Sequence, residues 1–282
     1  MNSKIKAWYE LLNPAHALIV LLGIVTGIKT AGGSLESTQL FFSAVLSFSI
    51  IAAAFILNDY WDLEADKENK RKDKPLVTGE ISKTHALFSA LAFLAIGNYA
   101  SYLLNEKVFI ISIIFTAILL AYNYYLKKVA FIGNATIGLT MAIPFIYGNY
   151  LCCSNLSSFV LILSSMAFLM GTGRELIASI RDKKGDEKQG RKTLPSIIGD
   201  EKTAWLSSFF ILTAVFLSPL PLVMKGPFNM NPAYLIFITI TDVLLILSIK
   251  NTLLLSNYKQ TRKLTLLAQL TGVLGFLLAT LI

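Results

Sequence analysis

Apolar residues run along this chain in blocks of about 17 to 25, the length at which a helix crosses a bilayer. The blocks cover positions 15–30, 40–57, 86–104, 108–125, 132–151, 159–180, 204–223, 233–249 and 264–282, with short polar segments between them. None alternates with a period of two, as a membrane barrel requires, whereas a helix satisfies its own backbone in lipid. The pattern predicts an all-α, polytopic membrane protein. About nine transmembrane helices would surround a central cavity, with an active site at its cytoplasmic mouth. Composition strengthens this: of 282 residues 55% are hydrophobic and 15% charged, a balance rare in a water-soluble domain.

The net charge of +8 would suit a nucleic-acid partner if the basic residues covered one soluble face. They follow the membrane pattern instead. All Lys and Arg residues except Lys29, Lys107, Lys225 and Arg174 fall in the N-terminal tail, in the loops joining even to odd blocks, or at the ends of those blocks. By the positive-inside rule the N-terminus and these loops are cytoplasmic and the C-terminus lies outside, in a multi-pass protein of the cell membrane without a nucleic-acid partner. Lys4 and Lys6 before the first block superficially resemble a secretory signal. That block is read as a retained span, because removing it inverts every later helix. Adjacent Cys152 and Cys153 offer neither a disulfide framework nor metal-ligand spacing.

The second block ends in Asn58-Asp59-Tyr60-Trp61-Asp62-Leu63-Glu64-Ala65-Asp66. On a helix Asp59, Asp62 and Asp66 share a face while Glu64 points elsewhere. The sixth block ends in Arg181-Asp182-Lys183-Lys184-Gly185-Asp186, where Asp182 and Asp186 again share a face. Asp62 and Asp182 are 120 positions apart, as are Asp66 and Asp186, and Gly79 and Gly199 each follow the last aspartate by 13 residues. This spacing predicts one transmembrane domain over 1–282, with a weak internal repeat of two four-helix units and an added ninth helix.

Clustered carboxylates at a membrane boundary repel one another and are expensive to desolvate, at roughly 2.5 to 3.5 kcal/mol each at mid-helix and less at an end. A divalent cation removes the conflict. Oxygen ligands in this number suit Mg²⁺, which keeps waters and is completed by substrate phosphates. The natural third party is a diphosphate, with interleaved Lys and Arg residues on its outer oxygens. At the end of an apolar bundle, the rest of that molecule is hydrocarbon, which describes an isoprenyl diphosphate. Metal and cations stabilise the departing diphosphate, and Tyr122, Tyr124 and Tyr125 are candidates for an aromatic wall beside the allylic cation.

With these residues the sequence resembles the UbiA-type intramembrane prenyltransferase superfamily along nearly its whole length. Asn58-Asp59-x-x-Asp62-x-x-x-Asp66 is similar to the family's first motif, and Asp182-x-x-x-Asp186 to its second. The resemblance implies that Asn58, Asp62 and Asp66 serve one magnesium ion and Asp182 and Asp186 the other. It also implies that Tyr124 pairs with Lys128 in a Tyr-x-x-x-Lys element, with Lys127 the alternative lysine. Asp59 joins the catalytic set, and Arg71, Lys74, Lys127, Lys128, Arg174 and Lys192 are the candidate diphosphate and substrate contacts.

Arg174-Glu175-Leu176-Ile177 and Gly190-Arg191-Lys192-Thr193-Leu194-Pro195 look most like the archaeal digeranylgeranylglyceryl phosphate synthase subfamily. That likeness implies transfer of a geranylgeranyl group from geranylgeranyl diphosphate to the hydroxyl of a lipid-phosphate acceptor, geranylgeranylglyceryl phosphate. Ser179 departs from the pattern where many relatives have an Asp, as do Asn13-Pro14-Ala15-His16 and Arg71-Lys72-Asp73-Lys74. These departures bear on acceptor contacts more than on the metal site. An aromatic acceptor, as in quinone synthesis, is the alternative. A secondary transporter would hold its acids at mid-bilayer instead of at helix ends.

Other polar residues read as structural. His85 follows a cap-like Ser82-Lys83-Thr84, Pro144, Pro219 and Pro221 kink or end helices, and Asp242 bonds Thr239 or Thr241. Arg174, inside an apolar block, needs Glu175 or a phosphate beside it.

Overall fold

The computed structural model describes residues 3–188 and 192–281. Gly190 and Arg191 of the run preceding Thr193, and Ile282 at the end of the ninth block, lie outside the described residues. The helices are α1 (Ser3–Leu12), α2 (Pro14–Thr30), α3 (Ser37–Glu68), α4 (Pro75–Thr78), α5 (Lys83–Tyr102), α6 (Glu106–Tyr124), α7 (Ile132–Cys152), α8 (Ser158–Lys188), α9 (Leu194–Ile198), α10 (Asp200–Leu217), α11 (Leu220–Val223), α12 (Pro232–Leu253) and α13 (Tyr258–Ala279). A 3-10 turn, Leu126–Lys128, joins α6 to α7, and no strand occurs among the described residues.

Eight stretches are long and apolar enough to cross a membrane, the first being Ile5–Thr30, which joins α1 to α2. This is a multi-pass membrane protein. The remaining predicted span corresponds to α5, 20 residues long. Its Asn98 donates to Thr116 Oγ1 at 3.0 Å and accepts from Ser112 Oγ at 2.8 Å, both on α6. A polar side chain inside a bundle is tolerated when a neighbouring helix bonds it in this way. The N-terminal block, 15–30, is α2, and Asn13 at φ 47 breaks it from α1 before it.

Local chemistry sets the helix ends. Ser82 accepts from the His85 backbone N–H, Asn105 from Val108, Asn231 from Tyr234 and Asn257 from Gln260, capping α5, α6, α12 and α13. His85 Nδ1 lies 2.9 Å from Ser82 Oγ, so the histidine belongs to the cap, as its position suggested. Pro144 is inside α7, and Pro219 follows the end of α10.

The chain forms two compact units, one of Met1–Ile24 and Leu35–Tyr125, the other of Val25–Ser34 and Leu126–Ile282. In the first, α3 packs along α5, and α5 along α6. In the second, α8 packs on α7 and α10, and α12 on α13. Small residues permit close backbone approach there. A Cβ on Gly27 would stand 2.2 Å from the Phe145 carbonyl oxygen, and one on Gly138 2.2 Å from Thr172 Oγ1. Phe228, Tyr234 and Phe276 form an aromatic core with ring centroids 5.0 to 5.4 Å apart.

The two longest helices, α3 with 32 residues and α8 with 31, run past their apolar blocks and carry the acidic segments. Each is followed by a short helix, α4 or α9, that closes on a glycine with positive φ, Gly79 at 78° and Gly199 at 88°. Only glycine adopts that conformation without strain.

Candidate active site

In the first unit, α3 places Asn58, Asp62 and Asp66 one turn apart along a stripe. Asp59 and Asp66 are buried and Asp62 is half-buried, while Glu64 lies outside and pairs with Lys67 at 3.1 Å, as its helical phase predicts. The loop after α3 returns so that Lys74 Nζ donates to Asp59 Oδ1 at 2.5 Å. Asp59 therefore already has a cation. Arg71 forms a fork with Asp73, at 2.9 and 2.7 Å. That pair lies outside the spans, and the hydrogen bond from Arg71 holds the Asp73 carboxyl at about 2. Asn58 Nδ2 donates to Asn123 Oδ1 at 3.3 Å, and Asn123 is anchored on the Leu119 carbonyl at 3.1 Å. This bond orients the Asn58 amide and leaves its Oδ1 without a hydrogen bond among the described residues.

In the second unit, Arg181 grips Asp182 through Nε at 2.7 Å and through its terminal nitrogen at 2.5 Å. Lys183 donates to Asp200 at 2.9 Å. Ser196 Oγ donates to Glu187 at 3.0 Å, tying α9 to the end of α8. Asp186 is half-buried one turn beyond Asp182, and Lys192 is exposed before α9. Arg174 bonds Gln269 Oε1 at 3.3 Å. Its hydrogen-bond partner is neutral, and Glu175 lies close enough to interact with it electrostatically, as the sequence suggested. A cavity of about 140 Å³ lies between this face of α8 and the start of α13, lined by Arg174, Glu175, Arg181, Asp182, Tyr258 and Arg262 among others. The α13 residues were missed in the sequence, where Arg262 counted only toward the charge asymmetry.

Tyr124 and Tyr125, at the end of α6, are 71% and 60% exposed. Lys127 and Lys128 follow in the 3-10 turn. The expected bonds of Asp242 are corrected. Asp242 accepts from Ser218 Oγ at 2.6 Å, whereas Thr239 and Thr241 donate to their own helix at Leu235 and Phe237. A serine one helix away reaches the carboxylate, and a threonine bonded to the carbonyl four residues back does not.

Among the described residues no three His, Cys, Asp or Glu side chains form a preformed metal cage. Mg²⁺ is commonly held by one or two carboxylates while waters and phosphates complete the shell. The oxygen groups that could serve such an ion are those of Asp62, Asp66 and the Asn58 amide in the first unit and of Asp186 and Asp182 in the second, where Arg181 holds both Asp182 oxygens.

Residues 17–271 match the model of the UbiA prenyltransferase family. The chain belongs to that family. Among its UbiA relatives, the digeranylgeranylglyceryl phosphate synthase of Archaeoglobus fulgidus is 35% identical over 276 residues, spanning 96% of this chain and 94% of that one. The synthase of Methanococcoides burtonii is 30% identical over 283 residues, spanning 96% and 99%. A solved structure from work on the biosynthesis of digeranylgeranylglyceryl phosphate synthase in membranes has a TM-score of 0.81 at 27% identity, covering 99% of both chains. A UbiA homologue from Archaeoglobus fulgidus bound to GPP and Mg²⁺ shares the fold, with a TM-score of 0.71 at 18% identity over 98% of this chain.

Proposed function

We propose that this UbiA-family prenyltransferase transfers a geranylgeranyl group from geranylgeranyl diphosphate to the free hydroxyl of geranylgeranylglyceryl phosphate, with Mg²⁺. The observation that carries the reading is the 35% identity to a digeranylgeranylglyceryl phosphate synthase across 96% of the chain, which includes both acidic motifs. Magnesium, when bound, neutralises the diphosphate and favours its departure. Asn58, Asp62 and Asp66 hold one ion and Asp182 and Asp186 the other. Lys128 or Lys127, with Lys192, binds outer phosphate oxygens, and Tyr124 belongs to the Tyr-x-x-x-Lys element. The allylic C–O bond breaks with its electron pair leaving on the diphosphate. The acceptor hydroxyl oxygen then bonds the allylic carbon and loses its proton.

Asp59, paired with Lys74, positions the loop that carries Arg71. The whole chain acts as one domain with an internal repeat. The distribution of Lys and Arg supports an N-terminus and both motifs on the cytoplasmic side and a C-terminus outside. Both acidic motifs sit at helix ends, which disfavours a transporter that couples ions at mid-membrane.

The test supplies purified protein with labelled geranylgeranyl diphosphate, Mg²⁺ and either geranylgeranylglyceryl phosphate or 4-hydroxybenzoate. A magnesium-dependent ether product with the lipid phosphate is expected. Product from 4-hydroxybenzoate alone would replace this reading with the aromatic one.

A further inference from the structure

The cavity between α8 and α13 has a charge arrangement that neither acidic motif requires. Arg174, Glu175, Arg181 and Asp182 project from one face of α8 over two turns, and Tyr258 and Arg262 face them from the first turns of α13. Of the three guanidinium groups, only Arg181 is matched, by Asp182. Arg174 has a single 3.3 Å bond to a neutral amide. No hydrogen bond or ion pair engages the Arg262 guanidinium among the described residues, and none joins Glu175 to any of the three arginines. Glu175 lies among the three arginines and interacts electrostatically with each, so with Asp182 it leaves one guanidinium charge uncompensated, and uncompensated cations at the end of a membrane helix favour an anion between them.

We infer that this cavity binds the phosphate monoester of the acceptor lipid, with Arg174 and Arg262 as its two forks and the Tyr258 hydroxyl as a further donor. The inference rests on the acceptor proposed above. Planar guanidinium forks match phosphate oxygens two at a time. The 140 Å³ volume is well below the roughly 300–1,000 Å³ of pockets that enclose a whole ligand, so it fits a headgroup and leaves the isoprenoid chain outside. In geranylgeranylglyceryl phosphate the reacting hydroxyl is on the carbon next to the phosphorylated one. Anchoring the phosphate beside Asp182 therefore brings the nucleophile to the second acidic motif. It also gives a basis for selectivity, because an acceptor lacking the phosphate leaves the excess guanidinium charge of the cavity uncompensated.

Equilibrium binding tests the site without turnover. The probe is a radiolabelled single-chain glyceryl ether phosphate, bound to the full-length protein in detergent without donor and with a chelator present. Wild type should bind it, and Arg262→Gln and Arg174→Gln should each weaken binding about tenfold or more. Arg262→Lys should recover part of the loss, and the dephosphorylated ether should bind all variants equally weakly. In turnover, Arg262→Gln should raise KM for the acceptor by a similar factor and leave KM for the donor unchanged. Equal affinity in wild type and both glutamine variants overturns the inference, as does binding that requires magnesium. Displacement of the probe by equimolar inorganic phosphate assigns the site to the free anion, and displacement by a two-chain phosphodiester assigns it to bulk lipid; either overturns it. Arginine-dependent binding without ether product would leave the pocket standing and remove the proposed reaction.

Discussion

Lys74 offers the sharpest test of how the first motif is assembled. Its ammonium lies 2.5 Å from Asp59 Oδ1, with 24% of the Lys74 side chain and 6% of the Asp59 side chain exposed. Replacing Lys74 with Met removes the cation and leaves a buried carboxylate unpaired. Breaking a buried pair on one side costs about 3–5 kcal/mol, and the partial exposure of Lys74 puts the expectation near the lower end, about 3 kcal/mol. Replacing both partners, Asp59→Asn with Lys74→Met, removes the unpaired charge and should return stability to within about 1 kcal/mol of wild type. The assay is unfolding in detergent for wild type, both single variants and the double variant, read as a double-mutant cycle. Lys74→Met unfolding at the wild-type midpoint, or a double variant no more stable than Lys74→Met, would refute this account of the loop.

Asp62→Ala and Asp182→Ala should each lower turnover by more than about 10²-fold while the unfolding midpoint stays near that of wild type; chelation should abolish turnover, and added Mg²⁺ should restore it. Gly138→Ala should destabilise by about 1–3 kcal/mol, seen as a lower melting midpoint, because the new Cβ meets Thr172 Oγ1 at 2.2 Å and the Phe168 carbonyl at 2.7 Å. Ser218→Ala removes the hydrogen bond to Asp242 Oδ2, whose other oxygen has no partner, and should cost about 1–3 kcal/mol by the same melt. For Asp73, with a folded value of about 2 against an ordinary 3.8, the stabilisation is complete above the ordinary value and disappears as pH falls through 2. Wild type and Asp73→Asn should differ by a constant amount above about pH 4, and the gap should close as pH falls through 2.

Much of the fold was legible because lipid leaves the chain few options: apolar blocks of sufficient length must be helices. Asp62 and Asp66 were legible for a related reason, since carboxylates at a helix end in a membrane need a purpose. Contacts across the loops were not. Nothing in the spacing of Lys74 reveals that the chain after α3 doubles back to pair it with Asp59, because loop closure depends on φ values such as the 54° of Lys70. The partnership of Asp242 with Ser218 and the meeting of Arg262 with Arg174 both arise from which helices pack together, and helix periodicity carries no information about neighbours.

The continuity of α3 and α8 into their acidic ends has a consequence for how these proteins tolerate change. Each carboxylate rides on the same rod that crosses the bilayer, so its azimuth is fixed by every residue beneath it. A single residue inserted into α3 just before Asn58 would swing Asn58, Asp62 and Asp66 together by about 100° and lift them about 1.5 Å. Insertions in the loops should be absorbed, whereas one in either rod should abolish activity with all side chains still present.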